Sequence, residues 1–270
     1  MSIRIWHQSF TVLQDLPAYE AAIKKHLKKV LRPETEVVLH GQLPGTYPAN
    51  YPGDDIAYAY LFWIHGNQWI AAARAAERDG FDAFASCTLP NPMLREMRTV
   101  VDIPVVGMGE TVFHSATMFG KRFATLIFID RMVPVYEDLI RGYGLDGHSA
   151  GVLASGLHFR DVLQGFADPA EVIARFRKTA ERVIDERGAD VIIPGEVPLS
   201  ILLATNGVTR IGDVPVLDTL ALTMKTAEMM AELKRATGVS YSRHGWANAA
   251  PSKERLDQVA AFYGLDRLSF

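Results

Sequence analysis

Two eleven-residue segments 108 positions apart, Gly80-Phe-Asp-Ala-Phe-Ala-Ser-Cys-Thr-Leu-Pro90 and Gly188-Ala-Asp-Val-Ile-Ile-Pro-Gly-Glu-Val-Pro198, align without a gap. In that alignment Gly80 meets Gly188, Asp82 meets Asp190, Thr88 meets Glu196 and Pro90 meets Pro198. Each copy reads as an apolar strand and the turn that follows it. The chain is therefore expected to consist of two similar halves that present Thr88 and Glu196 from equivalent strand ends. The repeat continues in Asp102-Ile-Pro-Val-Val-Gly107 and Asp213-Val-Pro-Val-Leu-Asp218. A division near residue 113 follows, because Gly120-Lys-Arg introduces a new strand. The first half is then 1–113 together with 223–270, and the second is 114–222.

Short apolar runs alternate with longer helix-like stretches, the pattern of parallel sheets joined by crossover helices. Strands are expected near 3–7, 36–40, 82–87, 104–107, 123–129, 150–154, 190–194 and 214–217. Helices are expected near 16–31, 66–79, 92–99, 114–119, 133–143, 169–187, 199–206 and 219–237. The last carries Leu220, Met224, Ala227, Met230 and Leu233 near one face. The tail from Gly238 onward belongs to neither copy and is expected to pack on the first half. Parallel sheets hold ligands beyond the carboxyl ends of their strands. That rule selects His7, Gln8, Ser9, His40, Thr88, Gly107 to Thr111, Asp130, Ser155, Glu196 and Asp218.

With a formal charge of -3, the chain lacks the basic excess of a nucleic-acid binder. Its first residues show no signal-peptide pattern, and no apolar stretch reaches membrane-spanning length unbroken. A cytoplasmic protein with a small-molecule substrate is expected, without nucleic-acid or membrane partners. The single cysteine, Cys87, cannot form an internal disulfide, and no His/Cys cluster has zinc-site spacing. No metal is expected.

In order along the chain, Asp82-Ala-Phe-Ala-Ser-Cys-Thr-Leu-Pro-Asn-Pro92, Arg95-Glu96, Ile103-Pro-Val-Val-Gly-Met-Gly-Glu110, Gly188 to Glu196 and Pro215-Val-Leu-Asp218 resemble motifs of the aspartate/glutamate/hydantoin racemase superfamily. The resemblance is nearest to its hydantoin and allantoin racemase branch, and Ser242-Arg-His-Gly-Trp-Ala247 resembles the ending of that branch. It implies an α/β fold of two pseudo-symmetric Rossmann-like domains with parallel sheets and an interdomain active-site cleft. It further implies no cofactor, symmetric homo-oligomers, and two cysteines that work on opposite faces of an acidic C–H. The chain departs from that pattern, because the two cysteine positions fall on Thr88 and Glu196. With one cysteine in the whole chain, a two-thiol mechanism is excluded by composition.

Glu196 is the leading candidate, since a carboxylate desolvated at a strand end gains the proton affinity of a general acid or base. Its bland alternative is a surface or helix-capping residue. Thr88 is read either as a hydroxyl donor to a developing oxyanion or as a turn residue. Cys87 is read either as an inert strand residue or, if a bulge shifts the register, as a thiol base in the cleft. His7, Gln8, Ser9, Thr111, Gly195 and Val197 are the expected substrate contacts. His114 is a weaker candidate for proton relay, and Asp218 is read as a cap on the helix that follows it. The aromatic segment from Tyr47 to Trp69 suits a lid, a subunit contact or a core.

The reading these residues favour is a racemase- or isomerase-like enzyme acting on a small carbonyl compound with Glu196 in proton transfer. A hydrolase, lyase or decarboxylase with the same carboxylate stays open, as does a non-catalytic ligand-binding protein.

Overall fold

A computed structural model of the chain describes residues 2–49, 51–268 and 270. Its strands are β1 (Ile3–Gln8), β2 (Thr35–His40), β3 (Ala83–Ser86), β4 (Val105–Gly107), β5 (Phe123–Ile127), β6 (Ser149–Ala154), β7 (Val191–Pro194), β8 (Arg210–Ile211) and β9 (Val214–Pro215). The helices are α1 (Pro17–Val30), α2 (Gly53–Ile56), α3 (Ala59–Arg78), α4 (Leu94–Val100), α5 (Met108–Phe119), α6 (Val133–Gly142), α7 (Phe159–Gly165), α8 (Ala170–Arg187), α9 (Val197–Thr205), α10 (Thr219–Thr237) and α11 (Lys253–Phe262).

The repeat becomes two parallel sheets of matching order. The first runs β2-β1-β3-β4, and the second runs β6-β5-β7 with a parallel bridge from Ile192 to Val216 beside β9. Each conserved-in-repeat residue has a mechanical task. Gly80 and Gly188 take left-handed backbone, with φ of 75° and 63°, and turn the chain out of α3 and α8; glycine does this without a Cβ clash. The next acidic residue pins the neighbouring strand. The Asp82 carboxylate accepts the Arg4 N–H at 2.8 Å, and the Asp190 carboxylate accepts those of Lys121 and Arg122 at 3.0 and 2.7 Å.

Strands β3 and β7 are buried throughout, as befits sheets covered on both faces. On β3, alternation sends Phe84 toward α3, where the Trp69 ring lies 6.4 Å away. Cys87 points to the other face, toward Met224 of α10. One large core runs through both sheets and α10, and a second fills the space among β5, β7, α8 and α9.

Several elements differ from expectation. Helix α5 starts at Met108 rather than near 114, so residue 113 lies within a continuous helix. Helix α3 starts at Ala59, two turns early, because its first turns expose Tyr60 and Trp63 and lack a clear apolar stripe. The strand expected at 214–217 holds only two residues, in an antiparallel pair with β8. Pro215 has no N–H, and the Val216 N–H goes to Thr209. On α10 the buried seam is Leu220, Met224, Ala227 and Ala231, whereas Leu233 is exposed. The tail contacts the first sheet: Tyr241 bonds to Val105, and the Phe270 ring lies 6.2 Å from that of Trp6. Among the described residues, no helix is long and apolar enough to cross a membrane.

Candidate active site

The carboxyl ends of β1, β3, β5 and β7 converge on one cavity. Six rings, those of Phe10, Tyr19, Tyr51, Phe128, Tyr136 and Phe159, form much of its wall. Ser9, Thr11, Cys87, Thr88 and Glu196 supply the polar groups, and Val197 and Pro198 close the floor at the start of α9.

Glu196 stands at the N-cap of α9, yet its side chain does not cap that helix. Instead it reaches across to β5, where the Phe128 N–H donates to both carboxylate oxygens at 3.0 and 3.2 Å. The residue is 8% exposed. Burial raises its pKa to about 8, and the nearby negative charge of Asp130 adds to the rise; the N–H groups of Phe128 and Ile129 oppose it. The result is a carboxyl group able to exchange its proton near neutral pH.

Thr88 follows the end of β3 and lines the same cavity, so the two residues matched by the repeat share one site. Cys87 also lines it. The β3 register with β1 and β4 carries no bulge, and the Cys87 sulfur sits 3.8 Å from that of Met224. Burial pushes its thiol pKa far up, which is unfavourable for a thiolate.

Three tyrosines line the cavity with the acid. Burial and the charge of Glu196 raise the Tyr136 pKa well above its usual value, and the same causes bring Tyr51 to about 12. Burial likewise raises Tyr19, with Cys87 adding to it. All three are phenols, hence hydrogen-bond donors, at neutral pH.

Of the expected substrate contacts, Ser9 and Val197 line the cavity, while His7, Gln8, Thr111 and Gly195 do not. Strand β1 runs on through Gln8, so His7 and Gln8 are still sheet residues and Ser9 is the first beyond it. His7 is fully buried, and burial lowers its pKa to about 4. The Gln8 side chain accepts from the Trp6 indole at 2.9 Å and donates to the Gly41 carbonyl at 2.8 Å. Thr111 is buried in α5. At Gly195 a Cβ would lie 2.4 Å from the Ile127 side chain, so its task is close approach of β7 to β5.

The other candidate residues also serve structure. His40 stacks on Trp6 with ring centroids 3.4 Å apart. The Ser155 hydroxyl accepts the Leu157 N–H. His114 bonds to the Glu110 carbonyl at 2.7 Å. Asp218 caps α10 by accepting the Ala221 N–H at 2.9 Å and lies 2.6 Å from His26. Sequence reasoning missed Phe10, Thr11, Tyr19, Phe128, Tyr136 and Phe159. The structure extends the repeat to one pair: Gln8 and Leu126 hold equivalent β-ladder positions, accepting from Cys87 and Gly195, so Phe10 corresponds to Phe128.

Two parallel sheets meeting at a cavity that holds a buried acid define an α/β architecture shared with the racemases. The chain belongs to the Asp/Glu/hydantoin racemase family, whose model matches residues 17–227. It is 28% identical over 175 residues to the hydantoin racemase of Pseudomonas sp. (strain NS671), covering 62% of this chain and 66% of that protein. To the hydantoin racemase of Rhizobium meliloti it is 30% identical over 168 residues, covering 62% and 68%. The structure of allantoin racemase from Klebsiella pneumoniae superposes with a TM-score of 0.76 at 25% identity, covering 93% of this chain and 95% of that one.

Proposed function

We propose that the protein is a racemase- or isomerase-type enzyme that moves a proton on a small carbonyl compound, with Glu196 as general acid and base. The observation that carries this reading is a buried carboxyl group with its pKa raised to about 8, set in the cavity where the two repeat ends meet. In its ionised form Glu196 takes a proton from the carbon next to a carbonyl. The charge that develops on the carbonyl oxygen then needs donors already in place. The phenols of Tyr51 and Tyr136 and the Thr88 hydroxyl are among the donors that share the cavity. Protonated Glu196 returns the proton.

The two sides of the cavity are chemically unequal. One carries Glu196, and the other carries a threonine hydroxyl and a buried thiol whose pKa burial has pushed up. Exchange at one face of the substrate is therefore faster than inversion. No cofactor enters this scheme, and assembly as a homo-oligomer accords with it.

The test is C–H exchange in D₂O, followed by NMR, with 5-substituted hydantoins, allantoin, aspartate, glutamate and arylmalonates as probes. Exchange in the parent protein that disappears in Glu196→Gln supports the reading. Exchange that survives in Glu196→Gln overturns the role of the carboxylate. Net ring opening or decarboxylation without reversible exchange moves the chain to hydrolase or lyase chemistry.

A further inference from the structure

The wall of the cavity is largely aromatic and, among the described residues, carries no cationic side chain. Among the described residues that line it are six aromatic rings and no lysine, arginine or histidine. A substrate with a fixed negative charge would leave water without a cation to meet it, a costly transfer. The wall suits an uncharged molecule with an apolar part.

Two of the rings meet from opposite halves of the molecule. Tyr51 precedes α2, and Phe159 opens α7; their rings stack with centroids 5.0 Å apart and planes 24° from parallel. Phe159 is backed by Phe128, at 6.0 Å, the residue whose N–H holds the Glu196 carboxylate. The stacked pair is thus one residue removed from the reacting acid.

Gly53 sets where the Tyr51 ring rests. A Cβ built on Gly53 would lie 2.3 Å from both the Cζ and the hydroxyl oxygen of Tyr51. Gly53 itself lies in helical backbone at the start of α2, so the absent side chain serves the ring rather than an unusual turn. The contact is with the tip of a flexible side chain, which can swing away. With centroids 5.0 Å apart, Tyr51 and Phe159 leave no space for a third ring between them, so a ring bound there needs Tyr51 to move.

We propose that Tyr51 and Phe159 are the specificity-determining pair of this site, opening to admit an uncharged carbonyl compound and closing on a flat aryl substituent it carries. This rests on the proton-transfer reading, because the clamp would set the acidic C–H of the substrate against Glu196.

The test measures dissociation constants at pH 7 by calorimetry for 5-phenylhydantoin, 5-cyclohexylhydantoin and phenylmalonate. The first two match in size and differ in flatness, and the third carries the aryl ring with charge. Stacking predicts about five- to tenfold tighter binding of the phenyl over the cyclohexyl compound, with phenylmalonate weaker than 5-phenylhydantoin. Tyr51→Leu should abolish the phenyl preference, and Gly53→Ala, which keeps the phenol but displaces it, should reduce it. Thermal melting of each variant verifies folding; if Tyr51→Leu does not fold, Gly53→Ala and Phe159→Leu decide the matter. Equal binding of the two hydantoins overturns the clamp, as does an unchanged preference in the folded variants or failure of all three probes to bind at millimolar concentration. Glu196-dependent exchange without an aryl preference removes the clamp and leaves the proposed chemistry standing. An aryl preference lost in the variants, but without exchange, retains the clamp and removes the chemistry.

Discussion

Glu196 holds the backbone N–H of Phe128 between its two carboxylate oxygens, at 3.0 and 3.2 Å. That bond joins the exits of β7 and β5 and fixes the acid in the cavity. A backbone donor favours the ionised form, whereas burial favours the protonated one; burial prevails, and the pKa rises to about 8.

The pH dependence of proton abstraction should follow from that value. Only the ionised form is a base, so kcat/KM for C–H exchange should climb about tenfold per pH unit below 8 and level off above it. Glu196→Gln, which keeps an oxygen for Phe128 but has no titrating proton, should lower the rate by about 10²- to 10⁴-fold. The inflection near pH 8 should vanish with it. Deuterium exchange measured from pH 6 to 10 checks both outcomes.

Stability should carry the same signature with the opposite slope. The folded protein binds the Glu196 proton more tightly than the unfolded chain, whose glutamate has its ordinary value of 4.5. Its contribution is therefore complete below pH 4.5 and is lost as pH rises toward 8. The loss is up to about 5 kcal/mol, at roughly 1.4 kcal/mol for each tenfold change in proton affinity. Urea denaturation at pH 5 and pH 8.5 should show Glu196→Gln gaining stability relative to the parent at the higher pH. An equal difference at both would contradict the buried acid.

The repeat made much of this architecture readable because its residues act locally. Gly80 and Gly188 end helices, Asp82 and Asp190 pin adjacent strands, and Thr88 and Glu196 leave equivalent strand ends. The strand-end rule was less exact where a strand ran long: β1 includes His7 and Gln8, leaving only Ser9 to reach the cavity. The ring wall was hidden for a different reason. Tyr19, Tyr51, Tyr136 and Phe159 come from four separate segments, and only tertiary packing brings them together. Helix α11 gave no periodic signal because none of its residues is buried.

Cys87 is expected to be silent chemically. The residue is 2% exposed, its sulfur is packed on Met224, and burial drives its pKa up. Alkylation by iodoacetamide should be slow in the folded protein and fast in urea. Cys87→Ala should keep Glu196-dependent exchange and cost about 1 kcal/mol of stability through the lost packing. Cys87→Ser places a hydroxyl beside the Met224 thioether and should cost more, about 1–3 kcal/mol. Loss of exchange in a folded Cys87→Ala protein would restore the thiol as a second base.

The Tyr241 hydroxyl seals an edge of the first sheet. Strand β4 ends the order β2-β1-β3-β4, so its outer backbone groups lack a neighbouring strand. Tyr241 accepts the Val105 N–H at 2.8 Å and donates to the Val105 carbonyl at 2.7 Å, taking both roles that a strand would fill. Arg98 bonds the same carbonyl and lies over the tyrosine ring, its guanidinium carbon 4.8 Å from the centroid. Tyr241→Phe preserves the ring and removes the hydroxyl. The Val105 carbonyl keeps Arg98, but the N–H loses its acceptor, at a cost of about 1–3 kcal/mol. Tyr241 does not line the cavity, so kcat/KM for exchange should stay near the parent value while the urea midpoint falls. A fall in activity at unchanged stability would instead tie the tail to the chemistry.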